Sequence, residues 1–282
     1  MDYGFTVGRQ LLLFQEGILL NDQIDAVGLV RNNIRLPGVS NLRTSFLYGW
    51  NEVGRSSASN VSGTSTNMIG MFNSADTYFS TFNLDLIYTI DANEQTNEDA
   101  YYIGFSAIQR IGHFNTAFRV NTSVTQGSGN AQAGDGTLLS SEISFTPRSS
   151  DDVVYLNTFV SAGNFTQAGR EPVVGGPLGA LGILFASPSL GNFGSELNSF
   201  TDDVAGFALG YEAFWQNHRR SLTLEVAGRK DTSGDGIDSL AVGFEFRQRL
   251  LQRLQLQVDA HRTFNETRDN GYGGRVELLY QF

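Results

Sequence analysis

Hydrophobic and polar residues alternate along many stretches of this chain. In the carboxyl-terminal segment "YGGRVELLYQF", Tyr272, Val276 and Leu278 fall on one face, while Arg275 and Glu277 fall on the other. The same alternation runs through the segments 81–90, 115–124, 221–229, 240–250 and 254–264. A period of two predicts β-strands, each with one apolar and one polar face.

Charged residues recur on the polar face of these strands, so that face must be wet. A soluble antiparallel sheet and a transmembrane barrel both meet this requirement. The strands run for about ten residues, as a tilted membrane crossing needs, whereas strands of globular proteins commonly have about five or six. Aromatic residues near the strand ends match the two interfacial girdles of membrane barrels; they include Tyr48, Trp50, Phe214, Trp215, Tyr272, Tyr280 and Phe282. The sequence therefore predicts an all-β fold, a transmembrane antiparallel up-and-down β-barrel.

The connections between the strands are of two kinds. Short links are predicted at 32–40, 73–76, 111–114, 148–152, 216–219 and 250–253, and longer loops at 15–22, 52–63, 91–99, 126–136, 164–203, 230–236 and 265–271. Outer-membrane barrels show this asymmetry, with short turns on the periplasmic side. The pattern predicts a single barrel domain over 1–282 with about 14 strands, provided that 64–72 is a strand; 12 or 16 are the alternatives. Both termini would then lie in the periplasm, and the interior would hold water.

Composition narrows the possible function classes. The chain has 282 residues, a formal net charge of -10, a pI near 4.7 and no cysteine. Because the sequence has no basic cluster, we expect no nucleic-acid partner. Without cysteine the chain cannot form a disulfide, a thiolate metal site or a cysteine nucleophile. No apolar run approaches the length of a transmembrane helix, and no cofactor is predicted.

The polar face supplies the predicted lining of a pore. Its charged and titratable residues are Arg43, Asp85, Arg119, Glu142, Glu212, Glu225, Arg229, Glu245, Arg247, Asp259, His261, Arg275 and Glu277, with Asp25 and Arg31 nearer the amino terminus. Steering a polyanion needs a field of one sign, so this mixed lining indicates passive diffusion of small hydrophilic solutes. Two alternatives stay open: the charges pair across strands and only fill a wet interior, or the barrel does not conduct and is a structural or interaction scaffold.

Arg9 departs from the alternation. A strict period of two from Phe5 and Val7 would place its guanidinium on the apolar face. Glycine within a strand often marks a β-bulge, so we expect a bulge at Gly8 to turn Arg9 to the polar face.

The long loop at 164–203 is a candidate constriction. Its central part combines glycine and proline with apolar residues that would not remain free in water, among them Leu181 and Phe185. We expect this loop to fold into the barrel, with Arg170 and Glu171 near the mouth of the pore. The alternative is a loop packed on the barrel rim or on a neighbouring subunit.

No enzymatic activity is predicted. His261 and Asp259 lie two positions apart on one face, but no nucleophile motif accompanies this pair. The acidic segment "DTSGDGID" (231–238) lacks the terminal bidentate glutamate of a calcium loop. We therefore interpret it as a solvated hairpin and predict no metal site.

Two stretches of the sequence, 7–33 and 154–194, resemble the carboxyl-terminal half of proteobacterial porin-like barrels related to the alginate-export family. The strand around Arg9 and the "DAV" strand at 25–27 carry the resemblance. It implies a channel of the Gram-negative outer membrane, in a shortened form because such proteins are usually longer. Phe282 with Tyr280 resembles the signal by which the barrel-assembly machinery recognises its substrates. The expected partners are this machinery, outer-membrane lipid, lipopolysaccharide and small hydrophilic solutes, and we expect a monomer.

Overall fold

The structure is a computed structural model, and it describes most of the strands and the short turns between them. The described residues are 2–52, 66–91, 99–126, 135–163, 165, 181–185, 195, 197, 203–233, 238–266 and 269–280. In this part of the chain, no helix has both the length and the hydropathy needed to span a membrane.

In the part of the chain that the structure describes, fourteen strands form one sheet, and hydrogen-bonded neighbours follow one another in chain order. This up-and-down antiparallel arrangement confirms the predicted fold class and strand number, and the fourth strand confirms the one expected at 64–72. The strands are β1 Tyr3–Phe14, β2 Leu20–Leu36, β3 Val39–Glu52, β4 Thr66–Asp76, β5 Ser80–Asp91, β6 Asp99–Ile111, β7 Phe114–Gln126, β8 Gly136–Phe145, β9 Val153–Gly163, β10 Val204–Trp215, β11 Arg220–Asp231, β12 Ser239–Arg249, β13 Leu254–Asn265 and β14 Gly271–Tyr280.

The alternation seen in the sequence becomes two chemically distinct faces. One face, here called the apolar face, presents large exposed side chains, among them Phe46, Ile69, Leu209, Phe244 and Val276, which are 36–72% exposed. The opposite face, here called the polar face, carries buried charged groups such as Asp85, Glu225 and Asp259. An unbroken antiparallel register, as between β11 and β12, keeps the parity of one strand in step with the next.

Two short links lie elsewhere than predicted. Strands β2 and β3 extend through most of the link expected at 32–40, and the turn between them is only Pro37 and Gly38. Strand β4 includes all of 73–76, and the next strand begins after Thr77, Tyr78 and Phe79. In both places, residue types that commonly form turns continue a strand instead.

The charges at the start of the sheet also differ from expectation. The register of β1 with β2 runs without a shift from Tyr3 to Phe14, so Gly8 does not form a bulge, although its φ is 110°. Arg9 therefore stays on the apolar face, where it pairs with Asp25. Arg31, opposite Tyr3 in the register, stacks over the tyrosine ring at 5.5 Å. The predictions that Arg9, Asp25 and Arg31 lie on the polar face are thus wrong.

The chain divides into two compact units. The first consists of residues 1–110, 117–140 and 161–173, and the second of residues 111–116, 141–160 and 174–282. The first unit contains a buried apolar cluster on its polar face, to which the β1–β2 connection contributes Leu19 and the strands contribute Met68, Phe72, Ile87 and Tyr102. The sequence predicted a longer loop at 15–22, and the connection between β1 and β2 does lie there, but it packs on the sheet with Leu19 fully buried.

In the second unit, the turn between β8 and β9 is tied to β10 by Asp152. Its carboxylate accepts hydrogen bonds from the backbone N–H of Phe214 at 3.1 Å and from the Tyr211 hydroxyl at 2.8 Å. The backbone bond, followed by the tyrosine bond, lowers the pKa of Asp152 below its usual value. The carboxylate therefore stays ionised into mildly acidic solution, which keeps this turn attached to the sheet.

Candidate functional site

The structure places the thirteen residues nominated for the pore lining on the polar face of the sheet. Arg43, Asp85 and Arg119 belong to the first unit. The others, Glu142, Glu212, Glu225, Arg229, Glu245, Arg247, Asp259, His261, Arg275 and Glu277, belong to the second. The predicted set therefore falls into two groups, and each is described within its own unit.

A network of charged groups of both signs crosses β12, β13 and β14 in the second unit. Arg247 contacts Glu245 at 2.9 Å, and Gln257 donates from Nε2 to both Glu245 and Asp259. Asp259, only 2% exposed, also accepts from Nε and Nη2 of Arg275 at 3.1 and 3.0 Å. Arg275 then reaches the Glu277 carboxylate at 3.4 Å. Each buried carboxylate thus faces an arginine, which lowers the cost of holding charge on a partly dehydrated surface.

A segment of the long loop is fixed to the polar face of β11 by Glu225. This carboxylate, 2% exposed, accepts the backbone N–H groups of Ile183 at 2.9 Å and Leu184 at 2.8 Å. It also accepts the hydroxyl of Tyr155 from β9. The carboxylate thus accepts three hydrogen bonds, and two of them satisfy backbone N–H groups of a short turn that would otherwise be buried without partners. Glu225 therefore holds segment 181–185 on the sheet instead of leaving it to project freely.

Apolar contacts support the same attachment. Leu181 and Phe185, both predicted for a constriction loop, are fully buried, and the Phe185 ring meets Phe159 of β9 edge-on with centroids 5.0 Å apart. A second anchor lies further along the loop, where Nη1 of Arg229 donates to the carbonyl of Leu197 at 3.2 Å. Arg170 and Glu171 lie outside the described residues. The described parts of the loop therefore pack on the polar face.

Close packing of this segment requires a glycine. Gly182 has a φ of 114°, and a Cβ there would lie 2.6 Å from Oε2 of Glu225 and 2.7 Å from Cβ of Ala208. Residues with a side chain rarely adopt such a φ, and the neighbouring atoms leave no space for a Cβ at this position.

Gly182→Ala is expected to destabilise the protein more than Gly8→Ala does. Gly8 has nearly the same φ, 110°, but a Cβ added there would meet nothing within 4 Å. Gly8→Ala should therefore cost only the backbone strain, about 1–2 kcal/mol, and Gly182→Ala a further 1–3 kcal/mol or so through overpacking. The midpoint of urea unfolding, followed by the loss of the fast-migrating folded band on unheated gels, measures both. Equal losses would show that segment 181–185 does not press on Glu225.

In the first unit, the connection between β1 and β2 folds onto the polar face. Nε2 of Gln15 donates to Oδ2 of Asp85 at 2.7 Å, and the Glu16 carboxylate pairs with Nη2 of Arg119 at 2.6 Å. Arg119 is 1% exposed. Gly104 lets the turn approach, because a Cβ at this position would lie 2.7 Å from Cγ of Gln15. A turn at Gln15–Gly17 therefore covers part of β5, β6 and β7.

Beside this turn lies a cavity of about 510 Å³. Its charged lining comes from Glu16, Asp85, Arg119 and Arg43, and its hydroxyl and amide groups from Ser45, Ser74, Asn73, Asn83 and Ser106. Leu11, Phe14, Phe72 and Ile108 form the apolar part of the wall. Charged groups of both signs next to hydroxyl groups can form hydrogen bonds with water or with a small polar molecule.

Sequence reasoning missed four polar residues of these sites, namely Gln15, Glu16, Tyr155 and Gln257. Gln15 and Glu16 stand in a segment that the sequence assigns to a connecting loop, and loop residues have no periodicity that would indicate a contact with the strands. Tyr155 carried a usable signal: with Phe159 it is an aromatic residue on the polar face of β9, where the other buried residues are Asn157 and Ser161. A ring on a wet face indicates that another segment covers it.

The sheet consists of long antiparallel strands with one apolar face and one face that carries paired charges. This arrangement is typical of the porin-like β-barrels of the outer membrane. Comparison with solved structures agrees. OccAB3 of Acinetobacter baumannii shares 14% identity with the chain at a TM-score of 0.65, with 100% of this chain and 74% of that one covered. OpdK of Pseudomonas aeruginosa, solved with vanillate, shares 14% at a TM-score of 0.62, with 99% and 76% covered.

A third structure, Wzi of Escherichia coli, shares 9% identity at a TM-score of 0.61, with 100% of this chain and 68% of that one covered. It is an outer-membrane protein involved in group 1 capsule assembly and a carbohydrate-binding β-barrel. No protein-family model and no curated protein sequence matches the chain. The fold is therefore that of these porin-like β-barrels, in agreement with the predicted fold class.

Proposed function

We propose that the chain forms an outer-membrane channel through which small hydrophilic solutes diffuse passively. The observation that carries the proposal is the contrast between the two faces of the sheet. The polar face holds linked charges of both signs on β12–β14, while the apolar face presents the large side chains that lipid requires. The thirteen nominated residues would line the water-filled passage.

Conductance through planar bilayers tests this proposal. The protein is first folded in detergent and checked for a change of gel mobility on boiling, which marks a folded membrane barrel. Folded protein should then give sustained open-channel current, and liposomes that contain it should swell in small sugars. Folded, heat-modifiable protein without current would support the second candidate, a closed scaffold. Solubility in plain buffer without a mobility shift would contradict a membrane barrel altogether.

The second candidate function is a non-conducting barrel. It is favoured by the two segments that pack on the polar face, the turn at Gln15–Gly17 in the first unit and segment 181–185 in the second. In the channel proposal these segments narrow the passage without sealing it. Bilayer current separates the two proposals directly.

We infer that the channel has weak ion selectivity. The linked groups in the second unit carry both signs, two arginines against three carboxylates, so their fields partly cancel at the distance of a passing ion. Such a lining suits neutral or singly charged solutes better than a polyanion. The resemblance to alginate-export porins is carried by the sequence stretches 7–33 and 154–194. Because a lining of both signs does not favour a polyanion, we propose that this shortened barrel does not transport alginate.

Glu277→Lys is expected to shift the channel toward anions. The Glu277 side chain is 37% exposed and lies at the end of the charge network, so its reversal changes the local field with little effect on folding. The reversal potential in a KCl gradient should move toward the chloride value. Glu266→Lys makes the same charge change on an exposed residue after β13 and should leave the potential almost unchanged. An equal shift in both variants would show that Glu277 does not face the ion path.

We also propose the partners expected from the sequence. Lipid and lipopolysaccharide would contact the apolar face, and the barrel-assembly machinery would recognise the final strand. Tyr280 is 54% exposed on the apolar face of β14, which suits recognition before assembly is complete. Phe282 lies outside the described residues.

A further inference from the structure

An ion pair lies on the apolar face of β1 and β2. Arg9 and Asp25 are directly opposite in the register, and Nε and Nη2 of Arg9 donate to the two carboxylate oxygens of Asp25 at 3.0 and 3.2 Å. The Arg9 side chain is 53% exposed, and that of Asp25 is 24% exposed. The surrounding residues on this face are apolar: Phe5, Val7, Leu11 and Leu29.

The pair lies far from both ends of its strand. At a rise of ~3.3 Å per residue, Arg9 is about 20 Å along β1 from Tyr3 and about 16 Å from Phe14. A residue so placed in a membrane-spanning strand faces lipid, where a charged side chain is destabilising to a degree that depends on its depth. The pair is neutral overall, but the guanidinium has further N–H donors that lipid cannot satisfy. A polar surface that covers the pair would remove this cost.

We propose that this surface is a second copy of the chain, so that the apolar face of β1–β3 forms the contact of a symmetric dimer. A two-fold axis beside the pair brings Arg9 of each copy to Asp25 of the other. A patch with one charge of each sign is self-complementary under such an axis, which is the requirement for an isologous contact. The four groups then share their hydrogen bonds away from lipid.

Aromatic residues beside the pair fit an interface centre. The register between β2 and β3 shifts next to Asp25, which pairs with Asn51 while Ala26 pairs with Gly49, so that Trp50 is the extra residue of a bulge. Trp50 and Tyr48 are 41% and 44% exposed, and their ring centroids are 6.2 Å apart. Tryptophan, tyrosine and arginine are the residues most enriched at the centres of protein interfaces.

The sequence predicts a monomer because no strand visibly lacks apolar residues on its lipid side. That prediction assumed that Arg9 lies on the polar face, whereas the structure places it on the apolar face. The dimer rests on the proposed membrane placement of the apolar face, not on conduction. Failure of the gel mobility shift would remove the membrane placement, whereas a heat-modifiable protein that does not pair would remove only the dimer.

Cross-linking in native outer membranes tests the contact. The chain has no cysteine, so Val7→Cys introduces a single thiol beside the pair, where the side chain is 65% exposed. A short bis-maleimide should join two copies into a dimer band. Leu209→Cys, on β10 and 50% exposed on the same face, is the control and should give no such band. Equal bands from both variants, no band from Val7→Cys, or a band that contains a different protein would overturn the proposal.

Charge exchange tests the role of the ion pair in the Val7→Cys background. Arg9→Asp alone and Asp25→Arg alone should each lower the dimer band about tenfold or more, because like charges then meet across the axis. Co-expression of the two variants with different tags should restore a mixed dimer, since one copy presents two carboxylates and the other two guanidinium groups. A mixed dimer no stronger than the single-variant dimers, while both variants keep the gel mobility shift, would overturn the proposed contact.

Discussion

Glu225→Ala is expected to release segment 181–185 from the polar face and to raise the single-channel conductance. The substitution removes the acceptor of three hydrogen bonds and leaves the Tyr155 hydroxyl and the N–H groups of Ile183 and Leu184 without a partner in the same buried place. A buried donor left without a partner costs about 1–3 kcal/mol, so three such donors weaken the attachment by about 3 kcal/mol or more. Apolar contacts such as the Phe185–Phe159 pair remain, but they then hold the segment alone, so it leaves the polar face more often than in the native chain.

Two variants make this result specific. Glu225→Gln keeps a carbonyl acceptor for the backbone N–H groups and should give a smaller rise in conductance. Glu277→Ala also removes a carboxylate from the polar face, but one bonded to Arg275 rather than to the loop, and should leave the conductance close to that of the native chain. Phe185→Ala weakens the same segment through its ring contact and serves if Glu225→Ala does not fold. Unchanged conductance in a folded Glu225→Ala protein would mean that the segment lies outside the passage.

The strands could be predicted because their determinant is local. Water on one face and lipid on the other select opposite residue types at successive positions, and this shows within about ten residues of sequence. The ends of β4 were harder to predict. Ser74 and Asp76 extend the polar face of β4, and Asn73 pairs with Thr44 on the other face. The same residue types also form turns, so local sequence alone does not separate a strand end from a turn.

The charges of the candidate site could be assigned to a face but not to their partners. Parity alone places Glu245, Asp259 and Arg275 on one face, because each belongs to a regular strand. The loop contacts have no such rule. Glu225 and Leu184 are 41 positions apart, and Gln15 and Asp85 are 70 apart, so the contacts depend on how the connections fold back.

Arg9 shows where the alternation rule fails for a physical reason. The rule treats each side chain alone, and a lone arginine on the apolar face would be strongly unfavourable. Its partner Asp25 is 16 positions away on the neighbouring strand, and the pair becomes visible only when the register is known. The bulge at Gly8 was predicted in order to move Arg9 off the apolar face. In the structure Arg9 stays on that face and is neutralised by its ion pair with Asp25.

Glu16→Ala is expected to destabilise the protein by about 3–5 kcal/mol, because it takes the carboxylate from an arginine that is almost fully buried. Glu16 contacts Nη2 of Arg119 at 2.6 Å, and Arg119 is 1% exposed, whereas Glu16 itself is 40% exposed. Removal of the glutamate leaves a buried charge with less compensation. Arg119→Met should cost less, since it leaves behind a carboxylate that water can reach.

Urea unfolding followed on unheated gels measures these costs, and the double variant makes the test sharp. Glu16→Ala with Arg119→Met should be more stable than Glu16→Ala alone. The second substitution removes the buried positive charge whose compensation the first one reduces. Glu266→Ala, at an exposed position after β13, is the matched control and should stay within about 0.5 kcal/mol of the native chain. If the two single losses simply add in the double variant, the ion pair does not hold the Gln15–Gly17 turn, and the apolar packing of Leu19 does so alone.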